Sequence, residues 1–264
     1  MLTLLFCCGC VTGGAGKPTL GVWWWDSELE KDTYLSFAKD NGVTEIYYCD
    51  SGFDDDTENF IKSAADKGIK VYWLSGEYQW LRNDKPLYSL IEKYNAFQRD
   101  AKYRFAGIHL DIEPHQDPQF KNGDREYLLQ RLVTLVYGLS QKYPDIKFDY
   151  DIPFWIHDEV ELNGKTLPAY AHVIDNADRT FMMSYRDTAQ AVYVVAKDEA
   201  EYAVSVGKTL VLGVETYSEE GDNVSFMEEG KNYMYGEIEK IRTMIPNDFG
   251  VAIHQIKTWY GLQE

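Results

Sequence analysis

Phe105-Ala-Gly-Ile-His-Leu-Asp-Ile-Glu-Pro114 is the stretch that decides the fold. Side chains alternate across a strand, so Ile108, Leu110 and Ile112 point to one face while His109, Asp111 and Glu113 point to the other. An aliphatic face suits a cover of helices, and a polar stripe suits an enclosed lumen. In a barrel of parallel strands the chemistry sits where such a stripe reaches the C-terminal strand ends.

Working outward, seven further β-rich runs recur along the chain: Leu20 to Asp26, Glu45 to Asp50, Lys70 to Ser75, Lys147 to Pro153, Thr180 to Tyr185, Thr209 to Glu215 and Gly250 to Lys257. Helical patterns fill the gaps, over Ser27 to Asp40, Asp54 to Lys67, Lys85 to Tyr103, Asp124 to Tyr143, Asp158 to Asn176, Thr188 to Val206 and Asn223 to Met244. Strands alternating with helices predict parallel pairing through crossovers. An open, doubly wound sheet shares this alternation but carries a Gly-rich phosphate loop after its first strand, where this chain has Asp26-Ser27-Glu28-Leu29-Glu30. The expectation is therefore a single (β/α)8 TIM barrel over residues 17–264. Its closing helix is missing or very short, because only seven residues follow the eighth run.

The chain of 264 residues is long enough for one such core. Its formal charge of −17 excludes nucleic acid and anionic membrane surfaces as partners, since phosphate binding needs clustered Lys and Arg. Aromatic residues make up 15% of the chain, and flat aromatic faces stack on sugar rings. Strand alternation requires at least one of Trp23, Trp24 and Trp25 to face the helices, so Trp25, Trp80, Trp155 and Trp259 are the candidates for sugar stacking.

Met1 to Val11 is an apolar run of secretory length, far too short to span a bilayer. Cys8-Gly9-Cys10 resembles the end of a bacterial lipobox, which implies a lipid on Cys10. Residues 1–16 are accordingly read as a signal or lipoprotein segment and linker, with the protein in the cell envelope. That lipid is the one expected membrane contact, and the barrel is expected to be a monomer. Cys49 is left alone in the body of the chain and reads as a buried strand residue.

Two carboxylates two residues apart on a lumen face push one pKa up, and an acid kept protonated near neutral pH is what cleavage of a glycosidic bond requires. Glu113 is the expected general acid, with Asp111 beside it. Asp149 and Asp151 add acids from the fifth strand, Asp151 being a candidate partner of Tyr185 or Asp111. Glu215, ending the seventh strand, is either a nucleophile, a binder of ring hydroxyls or the partner of Lys257.

Gly107-Ile-His-Leu-Asp-Ile-Glu113 resembles the fourth-strand signature D-G-x-D-x-D-x-E of family 18 chitinase-like glycoside hydrolases. Gly107, Asp111 and Glu113 match it, while Ala106 and His109 stand where that family has aspartates. Met183-Ser184-Tyr185 is similar to the family's M-x-Y, and Trp259 resembles its pocket-floor tryptophan. The resemblance implies catalysis assisted by the substrate's own acetamido group, held by Asp111 and Tyr185. Val-Glu215 also looks like the nucleophile position of the clan of retaining barrels, although Ile112 stands where that clan has Asn. No cofactor is implied. Two other readings remain: a noncatalytic carbohydrate-binding lipoprotein, and a metal-dependent hydrolase built on Asp26, Asp50, Asp111, Glu113 and Glu215 with His109 and His254. The second lacks H-E-x-x-H and any paired histidines at ligand spacing.

Overall fold

The computed structural model describes residues 18–50, 52–217, 221 and 223–264. The N-terminal segment with Cys10 lies outside these residues. Among the described residues ten strands form: β1 (Leu20–Trp24), β2 (Glu45–Cys49), β3 (Lys70–Ser75), β4 (Ile108–Leu110), β5 (Phe148–Pro153), β6 (Glu159–Leu162), β7 (Lys165–Pro168), β8 (Arg179–Met183), β9 (Thr209–Glu215) and β10 (Gly250–His254). The helices are α1 (Lys31–Asp40), α2 (Asp55–Asp66), α3 (Lys85–Asp100), α4 (Arg125–Lys142), α5 (Ala169–Asn176), α6 (Ala189–Ser205), α7 (Lys231–Met244) and α8 (Ile256–Gly261). Strands β1 to β5 followed by β8, β9 and β10 close on themselves in parallel register, a (β/α)8 TIM barrel. Among the described residues no helix is long and apolar enough to cross a membrane.

Strand alternation divides the core in two. Trp24, Ile46, Tyr48, Val71, Trp73, Ile108, Leu110 and Ile112 pack outward against the helices. Trp23, Tyr47, Tyr72, Leu74, Phe181, Val211 and Ala252 fill the lumen, with Trp25 and Cys49 above them. Helix α4 buries Leu128, Leu129, Leu132, Val133, Leu135, Val136 and Leu139 against the barrel, each contributing roughly 1.5–3 kcal/mol. Helix α2 starts at a capping box, in which Asp54 accepts from the Thr57 N–H and Thr57 returns a bond to the Asp54 backbone.

The N-terminal end of the lumen is plugged by ions. Arg179 at the start of β8 grips Asp149 with Nε–Oδ1 and Nη2–Oδ2 distances of 3.2 and 2.6 Å and reaches Glu45 Oε2 with Nη1 at 2.7 Å. Its guanidinium lies over Tyr72 and Phe181. This end serves stability, and the opposite end is left for chemistry.

Several boundaries depart from the sequence reading. The helix expected over 158–176 is a β6–β7 hairpin followed by the short α5. Asn163-Gly164, with φ of 54° and 79°, makes the two-residue turn for which Asn-Gly is the strongest short signal, and it overrides the apolar spacing. Strand β10 stops at His254, because Gln255 and Thr258 form a capping box that opens α8. The closing helix is very short, six residues, in keeping with the expectation. Helix α7 begins at Lys231 rather than Asn223. Asp124 makes no side-chain cap to α4 and bonds Arg82 instead. Cys49 is half-buried at the lumen mouth, a correction to the buried position expected of it.

Candidate active site

The residues just beyond β4 continue its alternation, so Asp111 and Glu113 stay on the lumen side. Gly76 lets β3 approach them closely: a Cβ there would stand 1.9 Å from the Asp111 carbonyl oxygen, and the Asp111 N–H donates to Ser75 O at 3.0 Å. Glu113 is the exposed member of the stripe. Its side chain keeps 18% of its surface, with Oε2 accepting from Gln116 Nε2 at 2.6 Å and Oε1 lying 3.7 Å from His115 Nε2. It opens into a cavity of about 320 Å³ bounded also by His115, Trp155, Met183, Tyr185 and Arg186.

Below Glu113, Asp151 is buried and Asp111 is half-buried with its Oδ1 enclosed. Burial, then the charges of Asp151 and Glu113, push the Asp111 carboxyl well above its usual range. Asp151 is raised in the same way by burial and by Glu113, against the opposing Trp23 hydrogen bond. One oxygen of each, Asp111 Oδ1 and Asp151 Oδ1, is buried with no protein partner among the described residues. Such orphaned acceptors are costly unless they carry a proton or meet a ligand. Asp151 does not bond Asp111 or Tyr185, as the sequence suggested. Its Oδ2 lies 2.8 Å from His109 Nε2 and accepts from Trp23 Nε1 at 3.1 Å. Burial lowers the His109 pKa to about 3, so the ring is neutral and a single proton lies between it and Asp151. His109 stands at a position where the chitinase-like signature has an aspartate, and Asp151 from β5 is its partner.

Glu215 is fully engaged. Only 1% exposed, it accepts from the Thr216 and Tyr217 N–H groups at 2.6 and 2.8 Å through Oε1, and its Oε2 lies 2.8 Å from His254 Nδ1. Burial alone would lower the His254 pKa, but the bond to Glu215 and the charges of Glu215, Asp111 and Asp151 outweigh it and raise it. His254 stacks on Tyr185 at 5.9 Å, and its Nε2 lies 3.2 Å from Trp25 Nε1. The Tyr185 phenol is pushed well above its usual range by burial and by the charges of Glu215, Asp151, Asp111 and Glu113.

The structure therefore brings together Glu113, Asp111, Asp151, Tyr185, Glu215, Trp25 and Trp155. It does not bring Trp80 or Trp259 to the site. Trp80 is 3% exposed within the helix-facing core, and Trp259 lies wholly buried on α8 between Phe37 and Tyr235. Neither offers a free face to a sugar. His254, not Trp259, stands where β10 meets the pocket. Lys257 pairs with Asp26 at 2.9 Å rather than with Glu215. Sequence reasoning passed over Trp23 and gave His254 only a metal role, although both are in phase with lumen residues on their own strands, Trp25 and Ala252. Among the described residues no group of three or more His, Cys, Asp or Glu side chains is placed to hold a metal ion.

No protein-family model and no curated protein matches the sequence. In structure the chain is similar to a family 18 chitinase from Pseudoalteromonas aurantia, with a TM-score of 0.63 at 14% identity over 90% of this chain and 93% of that one. It is also similar to an endo-β-N-acetylglucosaminidase from Cordyceps militaris, solved with fucosyl-N-acetylglucosamine-Asn, with a TM-score of 0.56 at 14% identity over 90% and 82%. A protein described as a deoxyribose-phosphate aldolase from Toxoplasma gondii reaches 0.54 at 13% identity over 92% and 93%. The fold thus resembles that of family 18 chitinases. At these identities the likeness is one of fold, and an aldolase-like barrel shares it.

Proposed function

We propose that the protein is a glycoside hydrolase acting on N-acetylated sugars, with Glu113 as general acid and base. The observation that carries the reading is the placement of a partly exposed Glu113 on the same lumen face as Asp111, in a cavity that Tyr185 also lines. Glu113 gives its proton to the glycosidic oxygen as the bond from C1 to that oxygen breaks. The acetamido oxygen of the same sugar attacks C1, with its N–H donated to Asp111 and the Tyr185 hydroxyl steadying the group. Glu113, now a carboxylate, takes a proton from the water that opens the cyclic intermediate and is restored. Burial raises both the Asp111 and the Asp151 carboxyl, so the pair favours a single charge, and a charged Asp111 is the acceptor for the incoming N–H.

The alternative of a Glu215 nucleophile is less well supported, since its oxygens are taken by two backbone N–H groups and His254. The test is Glu113→Gln assayed on chromogenic N-acetylglucosaminides. The variant should fold normally and lose at least about a hundredfold in rate, while glycosides without the N-acetyl group should be inert to the wild type. Brisk turnover of a plain glucoside would overturn the assisted mechanism. We also propose that the protein sits in the cell envelope through a lipid on Cys10, which detergent partitioning of native and Cys10→Ala protein tests.

A further inference from the structure

The cavity holding Glu113 adjoins a second, larger one. About 730 Å³ in volume, it is lined by His115, Phe120, Lys121, Gly123, Arg125 and Trp155, and it shares His115 and Trp155 with the first. A glycan cut beside Glu113 would therefore continue across the Trp155 indole into this space. Its volume lies within the range of ligand pockets.

The chemistry of the lining is unlike the rest of the chain. The protein carries 43 acidic residues against 26 Lys and Arg, yet no carboxylate lines the larger cavity, and three of its six residues bear basic nitrogens. Arg125 has a fixed place, laid over Phe120 and Trp155 at 4.9 and 5.2 Å and bonded to Asp158 Oδ1 through Nε at 2.7 Å. Its charge is largely answered, and it props the aromatic wall. Lys121 forms no ion pair among the described residues. On the other side of Trp155, Arg186 likewise has no ion pair among them; its Nη1 donates to Tyr185 O at 2.6 Å and its guanidinium lies over Phe154. A neutral glycan would offer neither cation a counter-charge. A sugar bearing an acid group would engage them while its ring stacks on Trp155.

We infer that the larger cavity is a subsite for an anionic sugar, carboxylated or sulfated, next to the bond that Glu113 cleaves, with Lys121 as the residue that reads its charge. This rests on the glycosidase reading and adds the substrate class to it. The test measures binding to the Glu113→Gln protein, in which cleavage is blocked. Three matched probes are titrated at low and at 0.5 M salt: N-acetylglucosamine tetraose, the same chain oxidised to carboxylates at C6, and the same chain sulfated at O6. At least one anionic probe should bind about tenfold more tightly than the neutral one at low salt, and that preference should shrink in high salt. Lys121→Gln should abolish the preference while leaving neutral binding unchanged, and the tighter of the two acidic probes names the group. Equal binding of all three, or a preference that survives Lys121→Gln, overturns the anionic subsite while leaving the glycosidase reading intact. Failure of every probe to bind overturns both.

Discussion

Replacing Glu215 by Gln removes one charge from the lumen and leaves its shape almost unchanged. In the wild type the carboxylate lies 2.8 Å from His254 Nδ1, and its side chain and that of the histidine are 2% and 24% exposed. At an effective dielectric constant of about 20 this separation allows at most about 6 kcal/mol of attraction. Burial of the imidazole and residual solvent offset much of that, leaving about 2–3 kcal/mol as the cost of removing the carboxylate. The pH dependence is the sharper readout. Because the folded pKa of His254 is raised, its contribution to stability is fully present below the ordinary histidine value and is lost as pH rises through the folded pKa. Glu215→Gln should therefore cost more at pH 5 than at pH 9, once the imidazole has lost its charge and only its N–H bond to the carboxylate remains to be lost. Urea unfolding at both pH values measures this, and an NMR titration of His254 should show its pKa fall in the variant. A penalty equal at both pH values, or an unchanged His254 titration, would refute the charge-pair argument. Azide rescue of Glu215→Ala activity would instead make Glu215 the nucleophile.

At the other end of the barrel, Arg179→Met strands Asp149 and Glu45, which are 1% and 5% exposed, and should cost about 3–5 kcal/mol near neutral pH. Burial already raises the Asp149 pKa against the opposing pull of Arg179, so the variant's carboxyl takes up a proton on acidification. The loss seen in denaturant should be smaller at pH 5 than at pH 8, and the reverse order would contradict it. Trp155→Ala should raise KM with little change in melting temperature, while Trp259→Ala should cost about 3–5 kcal/mol of stability with KM preserved; steady-state kinetics beside thermal melts separate the two. Gly76→Ala should displace the Asp111 backbone that its Cβ would strike and lower kcat/KM by about tenfold or more, and a fully active Gly76→Ala enzyme would show that the approach of β3 to β4 is not needed.

The barrel and the acid at its mouth were legible in the sequence because both rest on local order. Period-two alternation in Ile108 to Glu113 sorted the aliphatic from the polar face before any contact was known, and alternation with helices forced parallel pairing. Asn163-Gly164 was just as local a signal, and its hairpin could have been read from the chain. What the sequence could not supply is which distant groups meet. His109 with Asp151, His254 with Glu215 and Trp25, and Arg179 with Asp149 and Glu45 join residues 30 to 229 positions apart. Their pairing depends on the closure and register of the barrel. The same closure sent Trp80 and Trp259 into the apolar layer and kept Trp155 at the pocket, since an indole near a strand end follows the direction of the backbone that carries it. Charge obeys the same division: the count of acids is a property of the chain, but which of them holds a proton depends on burial and neighbours, and only the folded barrel provides those.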